Sequence, residues 1–339
     1  MSISWVVRVF LLSLLLWSCI GKAIGQSSCN ADPFPPDDGC IRIFSVWPAD
    51  YVPPGTHCFC DGVPRVSALC HITQCSRIRS VCPTCAGSPI ALATGNTFIE
   101  QSDVRVPGLG SGLVLTRTWN SVLTNGAIGA GLFGPHWRST YEERVFLDSD
   151  DTMAYARGDG SLWSFVYDQG QSFRPVAPAN IVATLTEGTT GWTVAFQNGE
   201  QRTFDIDSGK LTSIKDRNGN ITLLSYDSAD RLASVADPAS RHHYFTYANS
   251  SSTLVTAVST DVGISLSYSY DSQGRLAHYT KPDNTSISFQ YNNQNPDLIT
   301  AVIDSEGKVL ESHTYDSAAR GLTSSRATGV DALTIHYRQ

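Results

Sequence analysis

Seven aromatic residues that close short alternating segments, Phe204, Tyr226, Tyr247, Tyr270, Tyr291, Tyr315 and Tyr337, stand 22, 21, 23, 21, 24 and 22 residues apart. A fixed period in this range commits a chain to stacked supersecondary units, each of which buries its faces on its neighbours. The units alternate between two kinds. One reads Tyr226-Asp227-Ser228-Ala229-Asp230-Arg231-Leu232, then Tyr270-Asp271-Ser272-Gln273-Gly274-Arg275-Leu276, then Tyr315-Asp316-Ser317-Ala318-Ala319-Arg320, with Phe204-Asp205 and Gly209-Lys210-Leu211 as a looser copy. In the other, Tyr247 is followed by Leu254-Val255-Thr256-Ala257-Val258 and Tyr291 by Leu298-Ile299-Thr300-Ala301-Val302. Each residue type has a physical role: Tyr packs a ring at a strand end and is expected to keep its hydroxyl at the surface, Asp or Asn caps the turn, Gly supplies positive φ, and Leu restarts the buried face. Each unit is therefore expected to be a strand, a turn and a returning strand. Ala318-Ala319-Arg320-Gly321 lacks the turn glycine and inserts one later, which puts that unit's register in question.

Upstream, short alternating runs predict strands at 113–119, 141–147, 153–156, 162–167, 192–196 and 203–206. Asp159-Gly160 and Asn198-Gly199 separate adjacent runs and accept the backbone that a tight hairpin requires. Arg157-Gly158-Asp159 also spells an integrin-binding tripeptide, but the turn explains each of its residues.

At the N-terminus, Arg8 precedes an apolar block at 9–17, and Ala23-Ile24-Gly25 places small residues before Gln26. The block is too short to span a bilayer, and residues 1–25 read as a secretory signal, so the chain is expected to be secreted, periplasmic or on the cell surface. Leu16-Trp17-Ser18-Cys19 is a rival processing site that would acylate Cys19; Trp17 fits it poorly. The remaining cysteines, Cys29, Cys40, Cys58, Cys60, Cys70, Cys75, Cys82 and Cys85, all fall in residues 26–87, a Pro-rich segment with little apolar surface. Four disulfides in an oxidising compartment are the expectation, among 105 pairings that sequence does not separate. Cys82-Pro83-Thr84-Cys85 with His57 and His71 gives a weaker zinc reading, since no second pair stands at knuckle spacing.

The Tyr-Asp-x-x-Gly-Arg-Leu pattern at 270–276 and its degenerate copies resemble the YD repeat of RHS (rearrangement hotspot) proteins, shared with the teneurins. Thr94-Gly95-Asn96, Arg117-Thr118-Trp119-Asn120 and Gly134-Pro135-His136-Trp137 are similar to the segment that opens the RHS core in bacterial proteins. The resemblance covers roughly residues 88–339 and leaves the cysteine-rich segment outside. It implies a β-sheet that spirals into a hollow shell, often around a C-terminal toxin released by self-cleavage at an Asp-Pro motif. Asp237-Pro238 sits inside the array with no effector domain after it, so neither protease nor toxin is carried over. The expected class is all-β: a signal at 1–25, a disulfide-stapled segment at 26–87, a β-rich RHS opening domain at 88–200, and a hairpin array at 201–339 forming a partial shell. The end of the sequence directly after a repeat aromatic reads as an array ended mid-course.

A net charge of −7 and no long basic run leave no footprint for nucleic acid. His242-His243 alternate across a predicted strand and read as ordinary surface histidines. Glu142-Glu143, on opposite faces of a predicted strand, do not make a glycosidase pair. No cofactor or metal is expected and no enzymatic activity. The expected function is an exported, non-catalytic RHS scaffold that encloses, presents or docks a protein partner or further RHS repeats in trans, as the N-terminal part of a polymorphic-toxin-type protein. The alternative is a cell-surface carbohydrate-binding or adhesive module with Trp119, Trp137, Trp163 and Trp192 as its aromatic face. The strand ending at Tyr337 carries no charge and no Pro at 332–337, so an open, adhesive edge is expected there.

Overall fold

The computed structural model describes residues 42–45, 85–86, 89–123, 130–148, 152–178 and 181–337. A little over half of them are strand, all of it antiparallel, and no α-helix lies among them. Hairpin follows hairpin from Arg144–Leu147 to Val330–His336, and Arg42–Ser45 adds to the far edge, giving one 20-stranded sheet. The sheet runs unbroken across the change in sequence texture near residue 200. Its first strand leans back on the array: Val145 N–H donates to Gly209 at 2.9 Å, and Leu211 N–H to Glu143 at 3.3 Å. The hairpins expected at 157–160 and 196–200 are present, with Gly160 and Gly199 at positive φ. The strand expected at 141–147 begins only at Arg144, because Tyr141, Glu142 and Glu143 turn inward to make side-chain contacts.

The repeat strands alternate as a sheet with one buried face should: Leu266 and Tyr268 of Ser265–Tyr270 point in, and the serines between them point out. The returning strands break that alternation. Leu232 and Val235 are both buried though three residues apart, as are Val255 and Val258, Leu276 and Tyr279, and Ile299 and Val302. One register shift per hairpin is the cause: Tyr226 faces Leu232 while Ser225 faces Ser234, so the returning strand carries an extra residue, a β-bulge. The same shift recurs at Phe204, Tyr247, Tyr270, Tyr291 and Tyr315. The unit in question at Ala319 keeps its register: Ala319 takes φ 62, and Gly321 stands opposite Tyr315 where other units have Leu, Val or Ile. A Cβ on Gly321 would lie 2.3 Å from Thr97 Oγ1, so the inserted glycine makes room for the opening segment.

That segment forms a second, three-stranded sheet of Phe98–Val106, Leu113–Asn120 and Trp137–Ser139, packed on the inner face of the long one. Leu113, Leu115, Trp119, Phe133 and Trp137 share one core with Leu232, Val258, Leu276 and Ile299. Backbone contacts seat it: Gly321 N–H donates to Gly95 at 2.8 Å, and Val255 N–H to Leu132 at 2.9 Å. Ile90 and Leu92 bury Leu333 and Ile335 in a smaller cluster. The open edge expected at 332–337 is therefore corrected, since Arg42–Ser45 pairs with Val330–His336 from outside.

At the centre of the packing lies a charge. Arg117 is fully buried, paired with Asp103 through Nε and, at 2.9 Å, through Nη2. Tyr268 donates its hydroxyl to the same carboxylate at 2.7 Å. The guanidinium lies 4.8 to 5.2 Å from the ring centres of Phe133, Trp137, Tyr268 and Tyr279. Burial alone would lower the guanidinium pKa, but the Asp103 charge and hydrogen bond reverse the sign and hold it raised. Removing one member strands the other charge in the core. Arg117→Met or Asp103→Asn alone should cost about 3–5 kcal/mol in urea unfolding, whereas the joint change Arg117→Met, Asp103→Leu, Tyr268→Phe should recover at least half of that. A single-variant cost below about 1 kcal/mol would show that the pair does not seat the inner sheet.

Candidate functional site

The repeat motif is a clamp between neighbouring hairpins. Asp227 Oδ1 accepts from the N–H groups of Ala229 and Arg231, each at 2.9 Å, which closes the turn, and its Oδ2 holds the Arg231 guanidinium at 2.9 and 2.7 Å. So aligned, Arg231 reaches forward: it lies 4.2 Å over the ring of Tyr247 and donates to the carbonyls of Asn249 and Ser252, both at 2.8 Å. Asp271 with Arg275 repeats this on Tyr291 at 4.5 Å and the Pro296 carbonyl at 2.5 Å. Asp316 with Arg320 repeats the stacking on Tyr337 at 4.1 Å. In the looser copy Lys210 takes the place of Arg, 5.4 Å over Tyr226. Gly274 has φ 75 and Asp230 φ 60 at the same turn position, so aspartate replaces glycine there at some strain. Leu232 and Leu276 are buried directly after their clamps.

The two kinds of unit now have a reason. Asn249 and Asn292 cap wider turns, Asn249 accepting from Ser251 and Ser252 and Asn292 from Gln294 and Asn295, and these turns present the carbonyls that the incoming Arg needs. The tyrosine hydroxyls are not at the surface, which corrects the expectation. Each donates back to the bulge residue of the preceding unit: Tyr226 to Leu211 at 2.8 Å, Tyr247 to Leu232 at 2.9 Å, Tyr270 to Val255 at 2.6 Å, Tyr291 to Leu276 at 2.9 Å, Tyr315 to Ile299 at 2.6 Å and Tyr337 to Gly321 at 2.8 Å. A bulge leaves a carbonyl without its ladder partner, and the hydroxyl supplies one. Burial pushes these phenols up, Tyr337 to about 12, so all remain donors at neutral pH. The aspartates of the opposite turns were missed. Asp216, Asp237 and Asp304 each accept from the N–H groups two and four residues on, and the signal was an Asp standing at each of those turns too. Asp237-Pro238 is one of them, buried and held by Arg241 at 2.8 Å.

Other candidates resolve into packing. Trp119, Trp137 and Trp163 are core residues and present no binding face; Trp192 is half-buried against Phe173. His243, expected at the surface, is fully buried beside Tyr141, while its neighbour His242 bonds Asp261 at 2.9 Å and stacks on the exposed Tyr244. Arg157 lies 4.7 Å over Trp163 and Asp159 caps Ser161, so the tripeptide is a turn folded onto the protein. Glu142 accepts from Leu132 N–H at 2.6 Å and burial pushes its carboxyl up. Glu143 takes the Tyr155 hydroxyl at 2.5 Å and Arg202 at 3.2 Å. Beside it a polar groove of about 250 Å³ runs over Thr116, Thr118 and Thr140 toward Glu100 and Arg157. Of the candidate disulfide residues only the Cys85 backbone is described, paired with Ala91; Cys29, Cys40, Cys58, Cys60, Cys70, Cys75 and Cys82 lie outside the described residues. Among the described residues no group of His, Cys, Asp and Glu is placed to hold a metal, and no helix is long and apolar enough to cross a membrane.

Two measurements follow. Tyr247→Phe leaves the Leu232 carbonyl unpaired and should cost about 1–2 kcal/mol, while Tyr167→Phe, at an exposed ring, should stay within about 0.5. Equal effects would mean the hydroxyl ladder contributes nothing. His243 gives the second. Burial pushes its imidazole down to about 4, with Asp237 opposing only in part. The neutral form is favoured in the folded state, so its contribution is present above the unfolded value near 6.5 and is lost as pH falls toward 4, on the order of 3 kcal/mol in all. Wild type should therefore lose more stability than His243→Leu between pH 7.5 and 4.5, and parallel curves would refute this.

Three family models match: a domain of unknown function (DUF6531) over residues 87–165, the RHS repeat over 204–242 and the teneurin YD-shell over 240–328. Among curated proteins, the tRNA3(Ser)-specific nuclease WapA of Bacillus spizizenii is 28% identical over 140 residues, 41% of this chain and 6% of that protein. The tRNA nuclease WapA of Bacillus subtilis is 27% identical over the same lengths. The chain thus matches only a small fraction of the length of these relatives. Among solved structures, the TcdB2–TccC3 complex without its hypervariable C-terminal region has a TM-score of 0.29 at 11% identity, covering 74% of this chain and 16% of that one. The Photorhabdus luminescens Tc holotoxin pore has 0.29 at 11%, covering 57% and 12%. With its opening segment matched by one model and its clamped hairpins by two others, the chain is an RHS/YD-repeat protein.

Proposed function

We propose that the chain is an exported, non-catalytic scaffold of the toxin-associated RHS type, a stiff β-wall that docks a polypeptide partner. The observation that carries this is the fate of the motif side chains. Asp227, Asp271 and Asp316 are spent on their own turns and arginines, the arginines on the next tyrosine, and the tyrosines on backbone carbonyls. A general acid or base needs a group free to meet a substrate, and a motif that consumes its own titratable groups serves rigidity instead. The names of the WapA relatives fit a toxin setting, and this reading assigns the chain the scaffold and not the nuclease. Incubated with tRNA, the full chain should produce no cleavage, and co-expressed with a polypeptide of RHS repeats it should co-elute with it. Cleavage that survives repurification, or no co-elution, would overturn the reading.

Export and oxidation belong to the same proposal. The protein from its native host should begin at Gln26, and reduction should add about 8 Da, the mass of four disulfides opened among Cys29 to Cys85; free thiols or bound zinc would contradict it. A glycan-binding reading keeps one supporting observation, the exposed Tyr244 stacked at 5.3 Å on His242 beside Asp261. A glycan array decides it: a specific signal abolished by Tyr244→Ala would favour the binding module over the scaffold.

A further inference from the structure

Once the core and the motif groups are accounted for, the polar groove beside Glu143 is left, and specific contacts build it. Its floor is the face of the inner sheet turned away from the core: Thr116 and Thr118 alternate with the buried Arg117, and Glu100, opposite Thr118, shares their face. The turn at 157–160 is drawn down onto that face as a wall. A Cβ on Gly158 would lie 2.4 Å from the Ser139 carbonyl oxygen, and the Asn120 amide donates to the Asp159 carbonyl at 3.1 Å. Arg157, Gly158 and Asp159 thereby enclose about 250 Å³ together with Thr140 and Glu143. Glu143 is the telling member. Its side chain is only 8% exposed, and its two hydrogen bonds, from the Tyr155 hydroxyl and Arg202 Nε, both fall on Oε2. Oε1 has no partner among the described residues, although the carboxylate lines the groove, and a buried acceptor in that state calls for a donor. The Thr116 hydroxyl is in the same position, since Thr140 engages only the Thr116 backbone.

We propose that this groove is a binding site for the guanidinium of an arginine side chain carried by a polypeptide partner. Charge calls for a cation. The groove and the groups paired with it hold four carboxylates, Glu100, Glu143, Asp159 and Glu200, against two guanidinium groups, Arg157 and Arg202. Arg157 does not occupy the place itself, because its guanidinium is held 4.7 Å over the Trp163 ring. The acceptors stand on separate walls and do not converge: among the described residues no group of His, Cys, Asp and Glu is placed to hold a metal ion. Spread acceptors suit the planar guanidinium, whose five donors point outward in a fixed fork, better than the compact ammonium of lysine. Glu143 Oε1 and Thr116 Oγ1 supply the acceptors inside, and Glu100 adds its charge from the neighbouring strand. A neutral sugar would meet the hydroxyls but leave the excess negative charge unanswered, and no aromatic ring lines the groove to stack it. The polypeptide carrier rests on the scaffold reading, but the two can fail separately, since a short peptide tests the groove without tRNA and without a repeat partner.

The probes are fluorescein-labelled pentapeptides of glycine and serine with arginine, lysine or the neutral isostere citrulline at the centre, titrated by anisotropy into the full chain. The arginine peptide should bind about fivefold or more tighter than the citrulline peptide and about threefold tighter than the lysine peptide, and excess glucose should not displace it. Glu143→Gln should weaken the arginine peptide about fivefold, while Glu306→Gln, in an exposed turn, should leave it unchanged. Equal affinity for the arginine peptide and either of the others, displacement by glucose, or undiminished binding to Glu143→Gln overturns the proposal. Should Glu143→Gln release Arg202 and fail to fold, Thr116→Val decides the matter. It keeps the backbone bonds to Thr140 and removes only the hydroxyl, so arginine-peptide binding should fall about threefold, and unchanged binding overturns the site.

Discussion

A buried guanidinium needs a full complement of partners, and in this chain that need determines how the two sheets meet. Arg117 lies on the inner sheet, with its carboxylate, Asp103, on the adjacent strand of that sheet. The long sheet supplies what is missing: the Tyr268 hydroxyl to Asp103 and the faces of Tyr268 and Tyr279 to the cation. Apolar packing alone tolerates sliding, because Leu on Val is nearly as good one step along. A charge that is satisfied only beneath two particular rings does not tolerate it. The pair thus fixes the register of one sheet on the other, and the glycine contacts follow. Gly321 fits under Thr97, and Gly134 sits where a Cβ would meet the Gly274 carbonyl at 2.8 Å, only if the sheets are seated at that register.

The array has its own logic, set by the bulge. An extra residue in each returning strand brings positions three apart onto the buried face and twists the hairpin, at the expense of one carbonyl without a ladder partner. The tyrosine of the following unit reaches that carbonyl, so the defect in one hairpin is repaired by its neighbour. Arginine works in the opposite direction, from one turn to the next ring. Units joined by a backward hydroxyl and a forward cation are coupled in both senses, which is why nearest-neighbour contact alone suffices to hold a long sheet. The wide turns receive an arginine at their carbonyls, Asn249 and Ser252 from Arg231 and Pro296 from Arg275, whereas the tight turn closed by Asp227 and Arg231 receives the shorter-headed Lys210 at the Asp230 carbonyl. The alternation of two unit types thus goes with two kinds of cation seat.

Local features were legible in the sequence because their causes are local. The period of about 22, the hairpins at Gly160 and Gly199, the buried Leu232 and Leu276 and the turn-capping Asp227 each depend on a few adjacent residues whose backbone preferences are strong. What was not legible depends on partners far along the chain. Nothing adjacent to Tyr247 shows that its hydroxyl finds Leu232, and nothing adjacent to Trp119 or His243 shows that the opposite sheet covers them. Alternation correctly separates His242 from His243, yet which of the two faces is wet is a tertiary fact. Gly321 is the instructive case. By sequence it is a damaged copy of the motif; in the fold the missing side chain is the space occupied by Thr97 and Ile90.

The same economy explains where interaction surface remains. The inner face of the long sheet is covered by the opening segment, and the motif groups are turned on one another. On two of the middle strands the outward side chains are small and hydroxylated, Ser265, Ser267 and Ser269 of one and Ser286 and Ser288 of another, while Ile221, Leu223 and Tyr244 leave apolar surface exposed on strands beside them. Ser, unlike Lys or Glu, gives up little conformational entropy when a surface packs against it and carries no charge to desolvate. A serine patch of this kind neither attracts nor strongly excludes a partner, in contrast to the apolar side chains beside it. A repeat scaffold built on these terms fixes its shape from the inside, through the buried Arg117–Asp103 pair and its rings, and leaves the outer face of the long sheet as surface still open to contact.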